Sequence, residues 1–521
     1  MYINYNVKNG NEYAIATRSV RRDNKVDKAD TIYLGRVIDK GNNIFKSKER
    51  GLFIYDPDTN TFSKVPPEYQ EPVLTRKTRH RKRRVLSVAF GDIFLLDSYL
   101  KSTGFYKVLD GIQFRNSDTI RSLLCYYVLC DLSNCYAQEW WELSYAKFLF
   151  PKAQLSSQRI SDALEDIGSE DAKRGFFQEY IPFLSENHFM TNENGIEDGI
   201  LIDSTGLPNS AQLSITALSN HNGVISEEIR LIYAVSQSTG FPLFYRYIPG
   251  NVVDVSTLIR TVAELGKNKI NTRFIILDAG YYTGINADAL YDAGISFLCR
   301  MKGNYTVYKD ILSTNLATLD SKENFVRYHG RRYFIKHIPC MIGGKGDRPA
   351  HAYLCKDVNE YDDHSRHLCA KADDQTMSDD ELYDEMSKQG IFILISSDEI
   401  PVKKLLPLYY TRDQVEKAFN ISKDMGKMLP LNIEKEETFK GHLLLSFMSS
   451  IVIKMLKNKL KEYKPKNKKQ LTVEEMFFVL GHHNASVYED ELITSEPVAR
   501  ANEAYTAFDI KVPITIPFNA S

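Results

Sequence analysis

The stretch GILIDSTG, from Gly199 to Gly206, marks a change of texture along the chain. It reads as a short apolar strand that ends at Asp203 and gives way to a glycine-containing turn. EIRLIYAVSQ (228–237) and FPLFYRYIPG (241–250) are two further strands around STGF, which reads as a hairpin. VSTLIRTVAELGKN (255–268) has the period of an amphipathic helix, and TRFIILDAG (272–280) that of a buried strand ending at Asp278. INADALYDAG (285–294) adds a helix and SFLCRMK (296–302) a strand.

Three strands in succession, then helix, strand, helix, strand, is the order of a ribonuclease H-like fold. The expected class is therefore α/β, with such a core in two parts, 196–302 and 389–450. Between them, 303–388 reads as a β-rich insertion in which strands such as RRYFIKHIP mix with acidic loops. The strand GIFILISS (390–397) resumes the core. Residues 1–88 read as short strands and turns with a basic arm. Residues 89–195 read as a helical, DNA-binding domain, and 451–521 as a C-terminal helical region. Within the helical part, LSSQRISDALEDIGSEDAKRGFFQEYI looks like two helices joined at a turn, with Ser169 capping the second. A helix-turn-helix and plain helix packing both fit that pattern.

At 521 residues, 43% hydrophobic and 26% charged, the composition is that of an ordinary soluble protein with a sizeable core. The N-terminus shows no signal-peptide pattern. The apolar run LLLSFMSSIVI (443–453) is short for a bilayer and reads as a buried helix. Seven scattered cysteines suit reduced thiols, so the expected location is the cytoplasm, without a membrane. Net charge is −1, yet TRKTRHRKRR (75–84) holds seven Arg or Lys and KMLKNKLKEYKPKNKK (454–469) holds eight Lys. Such density is the electrostatic footprint of a phosphate backbone, or else a solvated run. Arg81, Lys82, Arg83 and Arg84 are the DNA-contact candidates of the first cluster.

YYTRDQVEKAFNISK (409–423) carries the remaining chemistry. At roughly 100° per residue, Tyr409, Arg412, Glu416 and Lys423 fall within an arc of about 60° on a helix. Leu408, Val415, Ala418, Phe419 and Met425 form a separate apolar stripe, and Asp413, Lys417, Asn420 and Asp424 take the side left for water. The third face is either a solvated set of paired charges or a functional one. Asp203 and Asp278 likewise either begin turns or stand where functional side chains gather, at carboxyl ends of strands. With Glu416 they make three acids on separate elements. Carboxylates without nearby His or Cys suit Mg²⁺ or Mn²⁺. Two such ions about 4 Å apart would serve phosphodiester chemistry.

Tyr409-x2-Arg412-x3-Glu416-x6-Lys423 resembles the Tyr-Arg-Glu-Lys signature of DDE transposases in insertion-sequence family four. LIDSTG and FIILDAGYYTG are similar to the first and second Asp motifs of those enzymes. The spacing from Asp278 to Glu416 resembles their β-rich insertion, and GHLLLSFMSSIVIKML their C-terminal helix. The resemblance spans about 196–460. It implies an enzyme that binds terminal inverted repeats of double-stranded DNA and catalyses cleavage and strand transfer, as a homodimer in the end complex. It further implies Asp203, Asp278 and Glu416 as ligands of two Mg²⁺ or Mn²⁺ ions, Arg412 and Lys423 on phosphates, and Tyr409 on the backbone beside the scissile bond. Relatives that cut through a DNA hairpin hold a flipped base with an aromatic from the insertion. No Trp lies there in this chain, leaving Tyr305, Tyr308, Tyr328 or Tyr333.

Two rival functions remain at this stage: a DDE nuclease without strand transfer, and a domesticated DNA-binding regulator that keeps the fold. Trp140 and Trp141 read as core residues. His351, Cys355, His364, His367 and Cys369 match no zinc-finger spacing.

Overall fold

The computed structural model describes residues 1–521 apart from 9–10, 23–24, 68, 70–85, 191–197, 210–212, 222–223, 253, 375–377, 430–432, 466–468 and 518–521. Residues 1–82 and 83–521 form two compact units. The first is a six-stranded antiparallel meander in chain order. Its strands are β1 (Tyr2–Lys8), β2 (Asn11–Arg22), β3 (Lys25–Asp39), β4 (Ile44–Ser47), β5 (Gly51–Asp56) and β6 (Thr61–Lys64). Alternation along β2 to β5 turns Ala14, Ala16, Leu34, Phe45, Phe53 and Tyr55 into one small core. The basic run 75–84, with Arg81, Lys82, Arg83 and Arg84, lies outside the described residues.

The second unit opens with β7 (Leu86–Ala89) and seven helices. These are α1 (Gly91–Ser102), α2 (Phe105–Asp110), α3 (Ser117–Leu129), α4 (Ala137–Leu143), α5 (Ala146–Leu149), α6 (Ser157–Ile167) and α7 (Glu170–Glu186). Next come β8 (Ile200–Pro208), β9 (Ala217–His221), β10 (Val224–Ser236), β11 (Pro242–Pro249), α8 (Leu258–Lys267), β12 (Phe274–Leu277), α9 (Gly284–Asp292) and β13 (Ser296–Met301). β9 pairs only with β10. The other strands lie in the order β11-β10-β8-β12-β13. The first three are antiparallel, whereas β12 runs parallel to both β8 and β13. Two parallel neighbours require crossovers, which α8 and α9 supply.

The segment 303–388 does not build a sheet of its own. It contributes α10 (Thr306–Asn315), β14 (Phe325–Tyr328), β15 (Arg331–Ile342), β16 (Arg348–Asp357), α11 (Val358–Asp374) and α12 (Asp379–Ser387). β17 (Ile391–Ser396) pairs with β13 on one side and β16 on the other, so β16, β15 and β14 continue the main sheet. The stretch expected as acidic loops is helical at α11 and α12. Asp357 is buried, pairs with Arg331 at 2.8 Å and accepts from the Asn359 and Glu360 N–H groups at 3.0 and 3.2 Å. Ser378 and Glu381 form a reciprocal capping box at the start of α12. Caps of this kind satisfy orphan amide groups and start helices that charge density alone obscures.

The chain then passes through α13 (Val402–Tyr409) and α14 (Asp413–Asn420) to α15 (Glu436–Glu462). After it come α16 (Val473–Gly481), β18 (Asn484–Val487), β19 (Glu491–Thr494), α17 (Ala499–Ala507) and β20 (Thr515–Pro517), the strands forming a small sheet with β7. The apolar run 443–453 is thus the middle of a 27-residue helix. By length and composition α15 is apolar enough to cross a membrane, but 94% of its most apolar window is buried inside the fold. It is the axial core helix, and one apolar core joins it to α1–α7 and the large sheet. Trp140 packs on Tyr126, and Trp141 donates to the Phe150 carbonyl at 3.1 Å, both within that core.

Ser169 caps α7, accepting from the Ala172 N–H at 3.3 Å. α6 lies directly on α15, at a spacing that only glycine permits. A Cβ on Gly168 would stand 2.0 Å from the Glu437 carbonyl oxygen, and one on Gly441 would stand 1.8 Å from that of Leu164. Backbone cannot yield to that overlap without parting the helices. Gly441→Ala should therefore destabilise the chain by about 3 kcal/mol, at the upper end of overpacking costs. Urea unfolding checks this, and a loss below roughly 0.5 kcal/mol would show that the two helices are not held at this spacing.

Candidate active site

The parallel register of β8 and β12 decides the centre of the site. Ile200, Leu201 and Ile202 pair with Ile275, Ile276 and Leu277. The residues that follow are Asp203 and Asp278, side by side where the parallel pairing stops. β8 does not end at Asp203 in a turn, as the sequence suggests, but runs on to Pro208 because β10 continues to pair with it. Asp203 remains within β8, opposite Tyr233 of β10, and accepts the Ser204 N–H at 2.8 Å. Asp278 leaves β12 in an extended conformation and starts a short turn. Its carbonyl accepts the Cys299 thiol at 3.2 Å. Burial first, and then the Asp278 charge, push that thiol's pKa up. Cys299 escaped the sequence reading because nothing in SFLCRMK distinguishes it from a core residue.

The signature segment is laid across the same end of the sheet. Val415, Ala418 and Phe419 of α14 are buried, and Phe419 stacks on Tyr233 with centroids 5.0 Å apart. Ser422 and the Tyr233 hydroxyl share a hydrogen bond at 2.8 Å. Asp413, Lys417, Asn420 and Asp424 all face solvent, opposite the apolar stripe. The segment is not one regular helix, however. It tightens to a 3-10 turn at Tyr410–Arg412, returns to α over Asp413–Asn420 and widens to a π turn at Ile421–Met425. A constant 100° step therefore does not apply from Tyr409 to Lys423, and the four signature side chains occupy different surroundings. Widened turns of this type recur at functional sites, and no single residue announces one.

Arg412 points into the sheet end. Its guanidinium lies 3.1 Å from Asp278 and 3.6 Å from Asp203, and donates to the Tyr409 hydroxyl at 2.9 Å. Burial alone would lower the Arg412 pKa, but Tyr409, Asp278 and Asp203 outweigh it and the net shift is upward. Tyr409 is only 5% exposed, and its phenol is pushed up to about 12 by burial. Lys423 is half-buried and donates to Thr205 Oγ1 at 2.6 Å and to the Gly206 carbonyl at 3.1 Å, just along β8 from Asp203. Burial lowers its pKa, partly offset by Glu228 and Asp424. Glu416 is exposed on α14.

The structure thus brings Asp203, Asp278, Arg412 and Tyr409 into one contact set, with Lys423 beside it. Among the described residues, no three His, Cys, Asp or Glu side chains converge closely enough to hold an ion, so Glu416 does not join the two aspartates in this arrangement. Tyr328 stacks on Tyr410 with centroids 5.5 Å apart, next to the signature. Tyr333 is buried in β15, and Tyr305 donates to the Tyr282 carbonyl at 2.8 Å. Tyr308 is half-buried on α10. His351 pairs with His337 at 3.0 Å, while His364, His367 and Cys369 are exposed on α11.

Comparison with known proteins bears on this geometry. Residues 194–452 match a family model described as the transposase DDE domain. No curated protein matches the chain. Among solved structures, a cryo-EM structure of the piggyBac transposase synaptic complex with hairpin DNA is similar over 75% of this chain and 79% of that one, at 13% identity and a TM-score of 0.39. The family match encloses Asp203, Asp278 and the whole signature segment. Residues 194–452 of this chain are thus similar to a transposase DDE domain.

Proposed function

We propose that this chain is the transposase of an insertion sequence, which binds terminal inverted repeats and catalyses DNA cleavage and strand transfer by metal-assisted phosphoryl transfer. The observation that carries the reading is the convergence of Asp203 and Asp278 on a single positive group. The strand order β11-β10-β8-β12-β13 supports a ribonuclease H-like core beneath them.

The donor set fits a small divalent cation better than the guanidinium beside it. Arg412 Nε is buried with no hydrogen-bond partner among the described residues, and the Asp203 contact at 3.6 Å is too long for a hydrogen bond. Carboxylate oxygens are the ligands preferred by Mg²⁺ and Mn²⁺. Asp203 and Asp278 would hold the ion, with Glu416 as the third carboxylate from α14. Bound there, such ions supply Lewis-acid activation of phosphodiester oxygens. The remaining work belongs to the chain. Asp203 and Asp278 fix the reaction's place on a rigid sheet. Arg412, once released from the aspartates, is positioned to grip a neighbouring phosphate bidentately, whereas Lys423 acts as a point charge. Tyr409, only 5% exposed, holds the Arg412 fork and so acts beside the scissile bond through that guanidinium.

Asp203→Asn, Asp278→Asn and Glu416→Gln should each abolish cleavage of an end substrate in Mg²⁺ while leaving binding, read by gel shift in Ca²⁺, within a few-fold. Cleavage by any one of them within about tenfold of wild type would remove that residue from the ligand set. Joining of a precut end to target DNA separates a transposase from a nuclease or a DNA-binding regulator.

Arg412 gives a second test that needs no DNA. Its removal leaves two adjacent carboxylates without a counter-charge, which should lower stability in EDTA by about 1–2 kcal/mol. Added Mg²⁺ or Mn²⁺ should then raise the Tm of Arg412→Ala more than that of wild type, because the ion no longer competes with the guanidinium. Equal shifts for the two proteins would place the cation elsewhere.

A further inference from the structure

The end of α15 carries a basic feature that the site above does not use. Lys454, Lys457 and Lys461 stand three and four residues apart, so they follow one edge of the helix. Lys454 is only 7% exposed, Lys457 is half-buried and Lys461 is exposed, so the edge climbs from core to solvent. Lys417, exposed on α14 directly after Glu416, lies within electrostatic reach of Lys454 together with Lys457 and Lys461. Burial first, then these three ammonium groups, bring the Lys454 pKa down to about 8.

What is missing is a counter-charge. Among the described residues, none of these four lysines has a carboxylate within ion-pair distance. Lys459 on the same helix pairs with both Glu462 and Asp509, so acids are at hand where the fold uses them. A largely buried lysine without an acidic partner is costly, and three like charges beside it add to the cost. The free protein tolerates this arrangement, and an anion with several regularly spaced charges would relieve it. Lys454 to Lys461 covers about 10 Å of helix axis, comparable with three phosphates of one strand at about 3.4 Å of duplex axis each.

We propose that Lys417, Lys454, Lys457 and Lys461 form a strip that binds the phosphate backbone of duplex DNA, guiding the stretch that leads away from the carboxylate site. The strip rests on the reading of that site as one that cuts DNA, since Lys417 begins it one residue beyond Glu416. It reads charge and not sequence, because lysines on phosphates carry no base information. It also gives a function to a lysine cluster that would otherwise be a solvated run.

The test is binding of a fluorescent 40-bp duplex of arbitrary sequence to the full-length chain, without divalent ions, across a series of KCl concentrations. The triple variant Lys417→Gln, Lys457→Gln, Lys461→Gln should flatten the slope of log affinity against log salt by about 3, since each lost phosphate contact removes about 0.9. Lys→Arg at the same three positions should keep the wild-type slope. Lys454→Met, which retains the buried stem, should raise the Tm of the free protein and lower the slope by about 1. A merely structural lysine would lower the Tm and leave the slope alone. A wild-type slope in the triple variant, with DNA still bound, overturns the strip and leaves the proposed function standing. Failure of the wild-type chain to bind any duplex overturns both. Asp203→Asn with Asp278→Asn, which should keep the full slope while losing cleavage, tests the site independently of the strip.

Discussion

Two carboxylates held side by side on a rigid sheet are the constraint around which this fold is organised. Parallel pairing of β8 with β12 leaves Asp203 and Asp278 no freedom to separate, since each follows a residue locked in the ladder. Adjacent like charges repel, unless a cation stands between them. The guanidinium of Arg412 meets that need in the free chain. Everything that delivers Arg412 to this point therefore contributes to the site: the buried Tyr409, the 3-10 turn before α14, and the docking of α14 on β10.

That docking depends on a small set of buried contacts. Tyr233, opposite Asp203 in the ladder, stacks on Phe419 and shares a hydrogen bond with Ser422. One tyrosine thus ties the strand pair that carries an aspartate to the helix that carries Glu416 and directly follows Arg412. The π turn follows at once and packs against α15, so the signature segment is clamped between sheet and axial helix. A rigid frame of this kind suits a site whose work is electrostatic and positional.

Asp278 was legible because a strand end followed by a glycine-containing turn leaves a strong local trace, whereas the same pattern at Asp203 misled: β8 runs on through Gly206 to Pro208, held by its ladder with β10. The apolar stripe of α14 was legible too, since Val415, Ala418 and Phe419 follow helical period and are buried where period places them. The rest depended on partners distant in sequence. No local pattern shows that β16 pairs with β17, which is why 303–388 reads as a separate insertion and yet extends the main sheet. α11 was hidden because its cap, Asp357, belongs to the preceding strand and its body is dense in charge. The departures to 3-10 and π geometry around α14 arise from docking on Tyr233 and α15. A fixed angular step therefore misplaces Tyr409 and Lys423 while placing the buried stripe correctly.

The choice of cation differs between the two basic features for a physical reason. Between Asp203 and Asp278 the group must stay charged while largely buried and must reach two acceptors at once. Among the basic side chains only a guanidinium does both, being protonated at any physiological pH and forked. Along α15 the opposite property is useful. A lysine pressed into the core can shed its proton when nothing negative is near, which lowers the cost of burying it, and regains full charge when a phosphate arrives. Lys454, brought to about 8 by burial and its neighbours, still carries most of its charge at neutral pH but gives up its proton more readily than an exposed lysine. An arginine there would keep its charge through every state and leave the free helix end with a standing repulsion. Arginine on the carboxylates and lysine on the open edge are thus each matched to the charge they meet.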